Sequence, residues 1–198
     1  MKGSQKMIDL KDWLSLEEDG LKACSNRRYV QAETAFVEAL KLLEDKEKEL
    51  GSDTDPAIKQ SIKEKVALSL NNLAATYQLQ GKYGLALNEY IKSSEIYRKI
   101  RGENSLDFAT SLHNLGMVYA AKHEYQQAEA LFRRSLAIKE NLLTATHPDL
   151  EAVKANLAKV LKSVGKTEEA QKLTSKKLVV KNINKIAWLG FLVAFCPQ

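Results

Sequence analysis

The chain has 198 residues, 44% of them apolar, with 30 Lys and Arg against 25 Asp and Glu and a formal charge of +5. This composition suits a chain with its own core and excludes wholesale disorder. Nine glycines and three prolines are too few for a turn-rich all-β fold, and the two cysteines, Cys24 and Cys196, form neither a disulfide framework nor a zinc half-site.

The opening residues lack the apolar stretch of a secretory signal, which gives the expectation of a cytoplasmic protein. A first helix is expected over 12–25, with Trp13, Leu16 and Gly20 on its packing side. A second, over 29–48, carries Tyr29, Ala32, Phe36 and Ala39. Between Glu44 and Asp55 six acids stand against two lysines. Gly51 marks a stop, and Pro56 suits the start of the next helix because its fixed φ fits the first helical turn. Further helices are expected over 57–80, 83–100, 107–121, 125–142, 149–163 and 167–180, with stops at Gly81, Gly102 and Gly165. The run from Thr146 to Asp149 reads as an N-cap followed by an early proline and an early acid.

These helices are copies of one another. Leu70, Asn72, Leu73, Tyr77, Tyr83, Ala86, Tyr90 and Ser93 recur 42 residues later as Leu112, Asn114, Leu115, Tyr119, Tyr125, Ala128, Phe132 and Ser135. A further period on, Asn156, Leu157, Ala158, Leu161, Gly165 and Ala170 keep the pattern. Small residues (Ala74, Gly116, Ala158) face small residues (Ala86, Ala128, Ala170), so two helices can approach closely while the large side chains fill the gaps. The first copy departs from the period: Ala32 and Ala86 are 54 residues apart. Its flanking helices are therefore expected to be about one and two turns longer, carrying the acidic run on a projecting hairpin.

From residue 12 to about 177 this pattern resembles the tetratricopeptide repeat, in the 42-residue form seen in kinesin light chains. The resemblance implies an all-α solenoid, a right-handed superhelix of four antiparallel helix pairs. The boundaries expected are a leader 1–11, repeats at about 12–50, 57–100, 107–142 and 149–180, and a tail 181–198. It also implies a non-catalytic adaptor whose concave face, lined by the first helix of each pair, holds a linear peptide. In kinesin light chains the asparagines matching Asn72, Asn114 and Asn156 face the cargo-peptide groove, and an amide can grip a peptide backbone through its donor and its acceptor. The alternative for these asparagines is a contact between helices of the scaffold.

Around this ladder the expected peptide-binding residues are Asn71, Gln78, His113, Met117, Lys159 and Lys162. The two lysines favour an acidic ligand. So does the distribution of charge, because residues 152–198 hold nine lysines and two acids, a net +7. The carboxylate-clamp arrangement of other tetratricopeptide domains is absent. Its positions hold Asn71, Ala75, Thr110 and Asn114 with no basic members.

Nucleic acid is not expected as a partner, since the basic stretch has almost no Arg and no interleaved aromatics. Val164-Gly165-Lys166-Thr167 imitates the end of a phosphate-binding loop but lacks its first glycine and follows a helix. His147-Pro148-Asp149 fills the turn that Ser105-Leu106-Asp107 fills one repeat earlier. His113, His123 and His147 have no ligand spacing, so neither metal nor cofactor is expected. The segment 186–196 is uncharged, too short to span a membrane, and open to three readings: a cap on the last repeat, a membrane or partner contact, or the end of a truncated or alternatively spliced array. Assembly through this tail and the projecting hairpin is the alternative to the adaptor reading.

Overall fold

The computed structural model describes residues 10–174, which form α1 (Lys11–Ser25), α2 (Tyr29–Glu49), α3 (Pro56–Leu79), α4 (Tyr83–Arg101), α5 (Leu106–Ala121), α6 (Tyr125–Leu142), α7 (Pro148–Ser163) and α8 (Thr167–Thr174). All eight expected helices are present, and every end but the last lies within a residue of expectation. The continuation of α8 to 180, most of the leader and the tail 181–198 lie outside the described residues. Each helix packs on its neighbour in the chain, and first helices also meet across repeats, α1 with α3 and α5 with α7. No helix among the described residues is long and apolar enough to cross a membrane.

The turn inside each pair is the same device four times. At the end of α3, Lys82 N–H bonds the Tyr77 carbonyl at 2.9 Å and Gly81 N–H bonds that of Gln78 at 3.0 Å. This is a Schellman motif, which satisfies carbonyls that a helix end leaves open. It needs one residue at positive φ, and the four equivalent positions are Arg27 (58°), Gly81 (74°), His123 (62°) and Gly165 (81°). Between pairs, the chain is redirected by capped starts. Asp55 accepts from Ala57 N–H at 2.8 Å and Ser105 from Phe108 N–H at 3.3 Å. At α7 the cap is His147 rather than Thr146, its Nδ1 accepting from Asp149 N–H at 3.2 Å. Pro148 occupies the first helical position, which puts the residue just before it in the capping role.

In the first and third pairs a glycine on the first helix faces a ring on the second. A Cβ on Gly20 would stand 2.5 Å from the Phe36 ring, and one on Gly116 would stand 2.8 Å from that of Phe132. Ala32, Ala86, Ala128 and Ala170 are all fully buried at the facing position. Ser93 and Ser135 tie second helix to first, donating to the carbonyls of Ala67 at 2.7 Å and Ala109 at 2.6 Å. The departure from the period appears as length: α2 and α3 have 21 and 24 residues, against 18 in α6 and 16 in α5 and α7.

Candidate functional site

The recurrent asparagines join repeats to one another. Asn72 Nδ2 donates to Glu17 Oε2 at 2.7 Å, Asn114 Nδ2 to Asn71 Oδ1 at 2.8 Å, and Asn156 Nδ2 to His113 Nε2 at 2.9 Å. Donors and acceptors sit at equivalent positions of successive first helices. Asn72 and Asn114 are buried, and Asn156 is half-buried. The three amides are thus engaged inside the scaffold, and a peptide meets them only through whatever bonding capacity remains.

The acceptor ends are themselves held. Glu17 is buried, accepting from Asn72 and from the Ser69 hydroxyl, and Ser69 accepts from Trp13 Nε1–H at 3.0 Å. Burial raises the Glu17 carboxyl above its ordinary pKa of 4.5, and the two hydrogen bonds oppose that rise. His113 is fully buried and its pKa is pushed down to about 3, first by desolvation and then by nearby Lys139. The ring is therefore neutral at physiological pH. Because Nε2 accepts from Asn156, the proton of that neutral ring is placed on Nδ1. Lys139 is itself buried, 3.4 Å from Asp149 Oδ2, and desolvation lowers its pKa against the pull of that carboxylate.

Beside this buried column lies a groove of about 370 Å³. Gln78 at the end of α3 and Tyr83 at the start of α4 form one wall. Met117, Ala120 and Ala121 of α5 with Tyr125 and Phe132 of α6 make the floor, and Asn156, Lys159, Val160 and Ser163 of α7 form the other wall. His113 supports the floor from below, its ring edge-on to Phe132 with centroids 5.4 Å apart. Gln78 is held by Tyr90, whose hydroxyl donates to its Oε1 at 3.4 Å.

Four of the nine expected residues, Gln78, Met117, Asn156 and Lys159, line this groove. His113 underlies it. Asn71, Asn72 and Asn114 stand in the ladder away from it, and Lys162 is exposed on α7 without lining it. Seven lining residues are missing from the expected set: Tyr83, Ala120, Ala121, Tyr125, Phe132, Val160 and Ser163. Tyr83 and Tyr125 recur at the 42-residue period and read in the sequence as packing residues; their place at the start of a second helix is the usable signal. Among the described residues no group of His, Cys, Asp and Glu could hold a metal ion.

The tetratricopeptide repeat family model matches residues 65–141 and 107–174. No curated protein matches the chain. Among solved structures it is similar to a kinesin light chain from Podosopora anserina with nearly identical tetratricopeptide-like repeats, at 20% identity and TM-score 0.70 over 95% of this chain and 90% of that one. It is also similar to BtubC from P. vanneervenii, at 19% identity and TM-score 0.54 over 96% and 85%. A third likeness is to the Sgt2 tetratricopeptide domain from Aspergillus fumigatus, at 15% identity and TM-score 0.53 over 92% and 95%. At these identities the likeness is one of fold.

Proposed function

The chain belongs to the tetratricopeptide repeat family, and from that premise we propose that it is a non-catalytic adaptor holding a linear peptide in the groove between α3, α5 and α7. Family membership supports protein or peptide partners. The observation that carries the finer reading is the groove itself: an apolar floor of Met117, Ala120 and Phe132 between walls bearing Gln78, Asn156 and Lys159. An apolar side chain of the ligand would bury on that floor, the main driving term. The amides of Gln78 and Asn156 would meet its backbone. Lys159 and Lys162 add positive charge at one end, which favours an acidic residue there and makes the affinity fall with salt. Asn72 and Asn114 then act indirectly, by fixing the spacing of the first helices on which the groove is built.

Selection of linear peptides from a random display library on the immobilised full chain tests this reading. Expected is a family of binders sharing an apolar anchor with a neighbouring acid, whose affinity weakens between 50 and 500 mM salt. Enrichment of no peptide, or binders indifferent to both anchor and salt, would overturn it.

A further inference from the structure

The groove floor is apolar and, among the described residues, nothing covers it. Twenty-four residues follow Thr174, and within them 186–196 is an uncharged run holding Trp188, Phe191 and Phe195. Such a run gains by leaving water, and two places on the array could receive it.

The first is the end of the last repeat, and its chemistry is wrong. Where the third repeat carries Met117, Ala120, Tyr125 and Phe132, one period later stand Lys159, Lys162, Thr167 and Thr174, all exposed. That face is polar, as the outer face of a terminal repeat is expected to be. The opposite end is built the same way: α1 exposes Asp12, Ser15, Glu18, Asp19 and Lys22. Laying an uncharged run over that face would strip Lys162 and the two threonines of water with no partner in return.

The second place is the groove one repeat inward, where those apolar side chains are. The path is long enough. Eleven residues, 175–185, lead from the end of α8 to the uncharged run and reach at most about 40 Å when extended. The 16 residues of α7 are about 24 Å long, so the connection can round the α7–α8 edge and return to the groove lip at Ser163. This connection has four lysines and no acid, and Glu168 is exposed in the first turn of α8. The size also matches a partial fit, since about 370 Å³ takes two or three large side chains and not the whole segment.

We propose that the segment 186–196 docks in this groove in cis, seating aromatic side chains on Met117, Ala120 and Tyr125. Docking rests on the groove alone. Its consequence, that the tail competes with the peptide ligand and must leave before the adaptor can load, rests on the peptide-binding reading above.

A photoreactive benzoylphenylalanine placed at position 78 of the full chain, on the groove wall farthest from α8, tests the docking. A second probe at position 142 serves as control, because Leu142 is exposed at the far end of α6. Expected on irradiation is an intramolecular cross-link from position 78 to 186–196, with a yield independent of protein concentration and absent from position 142. The full chain carrying Trp188→Lys and Phe191→Lys should lose at least five-fold of that yield while keeping its helicity and melting temperature. No cross-link to 186–196, equal yields from both probes, cross-links only between chains, or an unchanged yield in the double variant would each overturn the docking. A display-selected peptide should bind the double variant at least five-fold more tightly than the wild type; equal affinity would overturn the competition. Should no peptide bind either chain while the cross-link from position 78 persists, the docking stands and the peptide-binding reading fails.

Discussion

Asn114 donates its side-chain amide to Asn71 across two repeats at 2.8 Å, and Asn72 and Asn156 repeat that bond to Glu17 and His113. The bond is a property of the array: each first helix is fastened to the one before it at the same level. Acceptors differ in type while donors do not, because a carboxylate, an amide oxygen and a neutral imidazole nitrogen can each take an N–H.

The ladder should therefore appear in stability. Asn114→Ala is expected to cost about 1–2 kcal/mol, since it removes a buried bond and leaves Asn71 without that donor. Asn71→Ala should cost less in the Asn114→Ala background than alone, by about 0.5–1.5 kcal/mol. Urea denaturation of the four chains of this cycle measures it; strict additivity would mean that the bond contributes nothing.

Glu17 gives the first repeat a dependence on pH. Its carboxyl is raised above 4.5 by burial in the folded state, so within the window between its unfolded and folded values the folded chain holds a proton that the unfolded chain has lost. Stability attributable to this residue thus falls as pH rises through that window, and the penalty is complete above it. Glu17→Gln keeps an oxygen for the Asn72 N–H and never ionises. Its melting temperature relative to wild type should be higher at pH 7.5 than at pH 4, and a constant difference would contradict the assignment.

Gly116 is required by the Phe132 ring. Gly116→Val should cost about 1–3 kcal/mol although valine is the better helix former, because the added carbons enter space the ring fills. Phe132→Leu in the same chain should return part of that loss. Thermal unfolding of the two single variants and the double variant tests the pairing, and a double variant whose losses simply add would refute it.

At the intra-repeat turns, Arg27 and His123 hold a left-handed conformation that Gly81 and Gly165 adopt at the equivalent positions. For a side-chain-bearing residue that conformation costs about 1–2 kcal/mol, part of which glycine gives back as chain entropy in the unfolded state. Arg27→Gly is expected to stabilise by up to about 1 kcal/mol, read as a melting temperature higher by roughly 2–4 °C. His123→Gly should gain less, since it also loses the 2.7 Å bond between His123 Nδ1 and the Tyr125 hydroxyl. A fall in stability for Arg27→Gly would show that the strain is absent.

How far the sequence carried these features depended on whether physics demanded one residue type. The helix pairs were legible because close approach needs Ala or Gly at the facing positions, so Ala74, Gly116 and Ala158 repeat visibly. The turn was legible only where glycine fills it, and at Arg27 and His123 the same geometry is hidden behind ordinary residues. The ladder was visible in its donors and hidden in its acceptors, since Glu17, Asn71 and His113 share a position and no common type. The groove was hardest to see, for Tyr125 and Phe132 serve the core and the floor at once and carry the same signature for both.

The most direct test of the account uses one display-selected peptide, calorimetry and two variants of the full chain. Met117→Lys puts a charge on the apolar floor, and Leu142→Lys puts the same charge on an exposed position away from the groove. The adaptor reading predicts at least a ten-fold loss of affinity for Met117→Lys and no change for Leu142→Lys, with both melting within about 3 °C of wild type, as a ΔΔG of at most about 1 kcal/mol allows. Equal affinities for the two variants would contradict it.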